Sequence, residues 1–205
     1  MNDRDVVIVE AVRTAVGRRR GSLSGVHPVV LLGQALREVM RRAGLSPDVV
    51  EDVVAGCVDQ VGEQAANVGR NALLTAGFPY TIPATTVDRQ CGSGQQGIHF
   101  AANLIQSGVC DVAIGCGVEV MSRVPILANF QQGPGFPFPP ELISQYALTS
   151  QGVAADAIAK QWGVSREDVD RFAYESHMKA ARAREEGRFA REITHVKVTL
   201  EGVET

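Results

Sequence analysis

Thr85-Thr86-Val87-Asp88-Arg89-Gln90-Cys91-Gly92-Ser93-Gly94-Gln95-Gln96-Gly97 is the stretch from which both the fold and the chemistry can be read. The β-branched run at 85–87 favours an extended strand. The residues after Cys91 open an amphipathic helix whose inner face carries Ile98, Ala101, Ala102 and Ile105. Cys91 therefore falls where a strand runs into a helix N-terminus. Free N–H groups and the positive end of the helix dipole favour thiolate over thiol there. The dipole contributes only about 0.3–1 kcal/mol, so full activation requires a partner such as histidine. The glycines at 92, 94 and 97 allow close approach to the backbone, and the Cys91 amide can face a developing oxyanion. Two readings of these residues stay open: an activated nucleophile, or a cysteine packed as a small hydrophobe at a tight turn.

Outward from this stretch, short β-rich runs alternate with helical periods. Strands are predicted at residues 5–12 (DVVIVEAV), 49–58, 83–88 and 111–118 (DVAIGCGV), and helices at 28–42, 67–75 and 91–106. In the first helix Leu32, Ala35, Leu36, Val39 and Met40 share one face, and Gly44 supplies the stop. The near-continuous apolar run at 111–118 is that of a strand covered on both faces. The alternation predicts an α/β layered architecture with a largely buried sheet. The character changes after Met121-Ser122-Arg123. GPGFPFPP (133–140) excludes regular structure and reads as an ordered loop or a linker. Helices follow at 152–162 and 166–186, the second opened by Ser165 and Asp168 in capping-box spacing, with Val169, Phe172, Ala173, Ser176 and Ala180 as its inner face. ITHVKVTL (193–200) alternates like a half-exposed strand.

Composition narrows the function. With 205 residues, 45% apolar and 21% charged, and a net charge of −3, the chain is an ordinary globular protein without the concentrated basic patch of a nucleic-acid binder. Arg18-Arg19-Arg20 is the one basic run, readable as a solvated loop or as a contact for an anion such as a CoA phosphate. No apolar stretch is long enough to span a membrane, and the N-terminus lacks the pattern of a signal peptide, so a cytoplasmic location with reduced thiols is expected. Cys57, Cys91, Cys110 and Cys116 show neither CxxC pairing nor zinc spacing. No metal is predicted. Cys57, Cys110 and Cys116 read as packing residues, and His27, His99, His177 and His195 as structural or exposed.

VDRQCGSGQQ resembles the active-site signature of thiolases, and the likeness extends along the whole chain. VVIVEAVRTAVGRRRGSLS is similar to that family's opening strand and loop, GEQAANVGRNALLTAGFP to its next helix, and DVAIGCGVEVMSR to the strand ending in Glu-x-Met-Ser. SREDVDRFAYESHMKAARAREEGRFAREI is similar to a long helix of its CoA-binding loop domain. The wording GEQAANVGRNALLTAG most resembles thiolases of fatty-acid or steroid side-chain degradation.

The resemblance implies a thiolase-like layered fold consisting of the N-terminal half plus the start of the inserted loop domain. Residues 1–122 would be an incomplete core domain and 123–205 the beginning of a CoA- and substrate-binding loop domain. It implies Cys91 as acyl-thioester nucleophile, with coenzyme A and acyl-CoA as substrates and no covalently bound cofactor. The implied reaction is thiolysis of a 3-ketoacyl-CoA or the reverse condensation. The family's Gly-His-Pro histidine motif and its second, C-terminal cysteine motif do not occur in these residues. The implied partners are therefore other copies of the chain in a homo-oligomer, or a C-terminal thiolase chain. A degenerate half serving as a non-catalytic subunit or interaction module is the alternative.

Overall fold

A computed structural model describes residues 5–131, 133–200 and 203–204. The chain forms two compact units, one of residues 1–133 with 192–205 and one of residues 134–191.

The first unit is built on a parallel sheet of three strands, β1 (Asp52–Gly56), β2 (Ala84–Val87) and β3 (Ala113–Gly117), in the order β2–β1–β3. Parallel neighbours require crossovers, and α2 (Val68–Thr75) lies between β1 and β2 in the chain as α3 (Ser93–Gln106) lies between β2 and β3. Gly56 stands opposite Val87 on one side and Gly117 on the other. The carboxyl ends of all three strands are therefore level.

Side chains alternate across the sheet and split the core into two unlike halves. Val53 and Ala55 pack with Leu32, Leu36 and Met40 of α1 (Pro28–Ala43), with Ala72 and Leu73 of α2, and with Phe78 and Ile82. This is an ordinary apolar core, fed by the helical stripe predicted for α1. Pro28 sits in the first turn of α1, capped by the His27 ring, and Gly44 closes the helix in the left-handed conformation. On the other face α3 lies almost flush against the strands. A Cβ at Gly115 would come within 2.5 Å of Ile98 Cα, and one at Gly97 within 2.7 Å of the Val54 carbonyl oxygen. Only glycine permits this approach, and it fixes where the N-terminus of α3 can be.

Three expectations are corrected. Residues 5–12 belong to no strand, and Ile8 is 80% exposed. A strand exists only with a hydrogen-bonded neighbour, and among the described residues the pairing nearby is a single bridge from Arg13 to Ile193. Residues 193–198 likewise form no ladder beyond that bridge, although Thr194 and Val198 are buried while His195 and Lys197 are exposed, as alternation requires. The Gln34 side chain stands in for a strand partner, donating to the Lys197 carbonyl at 3.1 Å and accepting its N–H at 2.8 Å. Regular pairing resumes in a short antiparallel ribbon, β4 (Thr199–Leu200) with β5 (Val203–Glu204).

The third correction concerns the second unit. It contains α5 (Pro140–Gln145), α6 (Gln151–Trp162) and α7 (Arg166–Glu185), while the four-residue α4 (Ala128–Gln131) precedes it in the first unit. The capping box opening α7 is present in both directions, Ser165 Oγ accepting from the Asp168 amide and Asp168 accepting from the Ser165 amide. The predicted inner face of α7 is nevertheless exposed, Phe172 to 75%. None of the three helices has a buried residue. Helical periodicity identified the apolar stripe, and among the described residues nothing covers it.

Candidate active site

Because the three strands are parallel and level, the segments leaving them emerge at one edge of the sheet. Ligands of open α/β sheets bind at that edge. Cys57 follows β1, residues 88–92 follow β2, and Glu119 lies just beyond β3.

Cys91 sits two residues ahead of α3, with Gly92 as its N-cap, and its side chain is exposed. The turn that carries it is tightly held. Gln90 is left-handed, with φ of 47°, a conformation that non-glycine residues adopt only when their surroundings impose it. The Gln90 N–H donates to Asp88 Oδ1 at 2.7 Å. Ser93 Oγ accepts the Arg89 N–H at 2.9 Å and donates to the Gln90 carbonyl at 2.6 Å. The Gly92 and Ser93 amides donate to the Arg89 and Gln90 carbonyls at 3.0 Å each. Among the described residues no histidine is hydrogen-bonded to the Cys91 sulfur. His27 caps α1 at 4.0 Å from Glu63, His99 lies 3.5 Å from Gln95, and His177 and His195 are exposed.

The other thiols lie in different surroundings. Burial pushes Cys57 up to about 12, with the negative charges of Glu119, Asp59 and Asp88 adding to the effect. Burial alone pushes Cys116 up to about 12. Burial and the Glu51 carboxylate raise Cys110. These three have little thiolate near neutral pH.

Beside Cys57 lies a polar clamp that sequence reading passed over. Glu119 accepts the amides of Val58 at 2.9 Å and Asp59 at 3.3 Å, together with the Gln64 side-chain NH2 at 2.6 Å. Gln64 is fully buried. It also donates to the Asp59 carbonyl and accepts the Val120 amide at 2.8 Å. The pair ties the loop after β1 to the end of β3. A carboxylate directly after an apolar strand was a legible signal for Glu119. Gln64 gave none, because glutamine in a polar loop looks solvated. Among the described residues no group of three or more His, Cys, Asp or Glu side chains is arranged to hold a metal ion, and no helix is long and apolar enough to cross a membrane.

Residues 6–204 match the model of the thiolase N-terminal domain. The chain is 42% identical over 201 residues to the steroid 3-ketoacyl-CoA thiolase FadA6 of Mycobacterium tuberculosis, an alignment covering 94% of this chain and 49% of that protein. It is 42% identical to a 3-ketoacyl-CoA thiolase of Bacillus subtilis, covering 96% of this chain and 50% of the relative. Its fold is similar to the crystal structure of the Bacillus anthracis acetyl-CoA acetyltransferase, with a TM-score of 0.82 and 32% identity, over 97% of this chain and 52% of that one. The chain belongs to the thiolase family. It spans about half the length of the relatives it matches.

Proposed function

We propose that this chain is the nucleophile-bearing half of a thiolase that acts on 3-ketoacyl-CoA, with Cys91 forming the acyl-enzyme. The Cys91 thiolate adds to the C3 carbonyl of the substrate, giving a tetrahedral oxyanion. The C2–C3 bond then breaks, its electrons passing to C2, which takes a proton to give acetyl-CoA. The acyl group stays on Cys91 as a thioester. A CoA thiolate adds to that thioester, and the Cys91 thiolate leaves as the new acyl-CoA is released. In reverse, an acetyl-CoA carbanion attacks the acyl-cysteine. Both stages pass through oxyanions that need preorganised donors, and the Cys91 N–H is one this chain offers.

The observation that carries the proposal is the exposed Cys91 on a constrained turn at the carboxyl edge of the sheet, immediately ahead of α3. The names of its relatives support 3-ketoacyl-CoA as the substrate class, and FadA6 is named for steroid substrates. As part of the proposal, residues 1–122 form the core that presents Cys91 and residues 123–205 begin the domain that covers CoA and the acyl chain. The working enzyme is cytoplasmic. It is completed by a C-terminal portion providing the activating histidine and the acid/base cysteine, and it assembles as an oligomer.

The test is to join or pair the chain with the C-terminal portion its relatives carry and follow CoA-dependent cleavage of acetoacetyl-CoA. Intact-mass analysis under single-turnover conditions reads the acyl adduct. Turnover with an acyl group mapped to Cys91, and loss of both in Cys91→Ala, is the expected result. An adduct on another residue, or undiminished turnover in Cys91→Ala, refutes it.

A further inference from the structure

We propose that Ser93, assisted by Asp88, is a positioning residue that aims the Cys91 amide at the reaction oxyanion. This rests on the reading of Cys91 as the acyl nucleophile.

Every backbone polar group of Arg89 and Gln90 has a partner within residues 88–93. The Arg89 N–H goes to Ser93 Oγ and the Gln90 N–H to Asp88 Oδ1. The Arg89 carbonyl accepts from Gly92, and the Gln90 carbonyl accepts from both the amide and the hydroxyl of Ser93. Two of these bonds, 2.9 and 2.6 Å long, use the single Ser93 hydroxyl, which is buried. A third, 2.7 Å long, uses Asp88.

The peptide joining Gln90 to Cys91 is planar and trans. In a trans peptide the carbonyl and the N–H point in opposite directions. Fixing the Gln90 carbonyl toward the start of α3 therefore fixes the Cys91 N–H on the opposite side. The left-handed Gln90 is the strained element, and Asp88 and Ser93 hold it there. Without the hydroxyl the Gln90 carbonyl keeps only the Ser93 amide, the Arg89 N–H loses its acceptor, and the peptide plane, held by one bond instead of two, has more freedom to tilt toward a relaxed turn. The sulfur remains on the same residue and remains exposed, but the N–H no longer has a fixed direction. Acyl transfer should suffer, because its transition state carries an oxyanion. Displacement of iodide from iodoacetamide should not, because no oxyanion forms at that carbon.

The experiment compares wild type, Ser93→Ala, Asp88→Ala and Asp88→Asn in the completed enzyme. Two rates are measured at Cys91 by mass spectrometry: acylation by acetoacetyl-CoA in a single turnover, and alkylation by iodoacetamide. Removing an oxyanion donor outright costs about 10²–10³-fold. A misdirected donor in Ser93→Ala should therefore slow acylation by roughly 10–100-fold while alkylation stays near the wild-type rate. Asp88→Asn keeps an oxygen acceptor for the Gln90 N–H and should recover most of the acylation that Asp88→Ala loses. Acylation by Ser93→Ala at the wild-type rate overturns the proposal. So does a parallel fall of both rates with a lowered melting temperature, which would mark Ser93 as a folding residue. Wild-type enzyme that turns over without an adduct on Cys91 overturns the underlying reading instead, and is distinguishable because no variant is needed to see it.

Discussion

Gly115→Ala tests the physical premise of the site, that α3 delivers Cys91 because glycine lets it lie flush on the sheet. The new Cβ would stand 2.5 Å from Ile98 Cα, 2.7 Å from Ile98 N and 3.0 Å from Gly97 C. All three are backbone atoms of one helix, so no side chain can rotate away, and the helix must rise by roughly 1 Å to reach van der Waals contact. Overpacking of this kind costs about 1–3 kcal/mol, partly offset by about 0.8 kcal/mol for the methyl buried. The net loss of about 0.2–2.2 kcal/mol lowers the melting temperature by up to about 9 °C for a unit of this size. The same displacement moves the turn at the head of α3, and misplacement by about 1 Å can cost as much as 10²-fold in rate. Circular-dichroism melts and single-turnover acylation of the completed enzyme are the assays. Gly152→Ala is the control for adding a methyl without a clash, since a Cβ there meets nothing within 4 Å; because it lies in α6, where alanine is the better helix former, it should not lower the melting temperature. A Gly115→Ala variant with wild-type melting and wild-type acylation would refute the idea that this close contact positions the nucleophile.

Limited alkylation with iodoacetamide at pH 8 should label Cys91 first. Cys57 and Cys116, raised to about 12, hold only about one thiolate in ten thousand at that pH; early labelling of either, mapped by peptide mass spectrometry, would contradict the assignment. Glu38 is held down to about 2 by hydrogen bonds first from Arg41 and then from Arg42. A depressed carboxylate stabilises the fold above its unfolded value and loses that contribution as pH falls through the folded one. Glu38→Gln should therefore cost about 0.5–1 kcal/mol at pH 7, with the difference from wild type shrinking below pH 4.5 toward pH 2 in denaturant titrations. Phe136 and Phe138 form an edge-to-face pair with ring centroids 5.3 Å apart; if this loop borders the acyl group, Phe136→Ala in the completed enzyme should change the ratio of kcat/KM between short and long acyl-CoA, and equal losses for all chain lengths would assign the pair to folding. The 205-residue chain expressed by itself leaves Ile8, Phe172 and Trp162 exposed; such apolar surface predicts self-association, and a monodisperse monomer in light scattering would count against it.

How far the sequence could be read depended on whether a signal was local. The stripe of α1, its glycine stop and the Ser165–Asp168 capping box are each specified within a few residues, and each is found where its pattern puts it. The strand at 111–118 was legible as a continuous apolar run, but its paired part is shorter, Ala113–Gly117, and its residues are half-buried or exposed rather than covered on both faces as such a run predicts. Residues 5–12 and 193–198 carry equally good strand patterns, yet pairing is a property of two segments and neither pattern contains its partner. The inner face of α7 failed for the same reason. Periodicity reports which side is apolar, and whether that side is covered depends on chain elsewhere.

The site divides along the same line. Cys91 could be singled out because its neighbours in sequence are also its neighbours in space, and Ser93 lay inside the same quoted motif. What the motif did not reveal is that the hydroxyl faces backward, onto the two residues before the cysteine, rather than outward to a ligand. That direction follows from the left-handed Gln90, which the letters alone do not announce. Gln64 and Glu119 stand 55 residues apart in the chain and meet only because β1 and β3 are adjacent. Beside Cys91, the glycines at 92, 94 and 97 suggest room for close approach to the backbone. Gly97, with Gly115 on β3, admits a helix to a sheet, and the position of Cys91 follows from that contact.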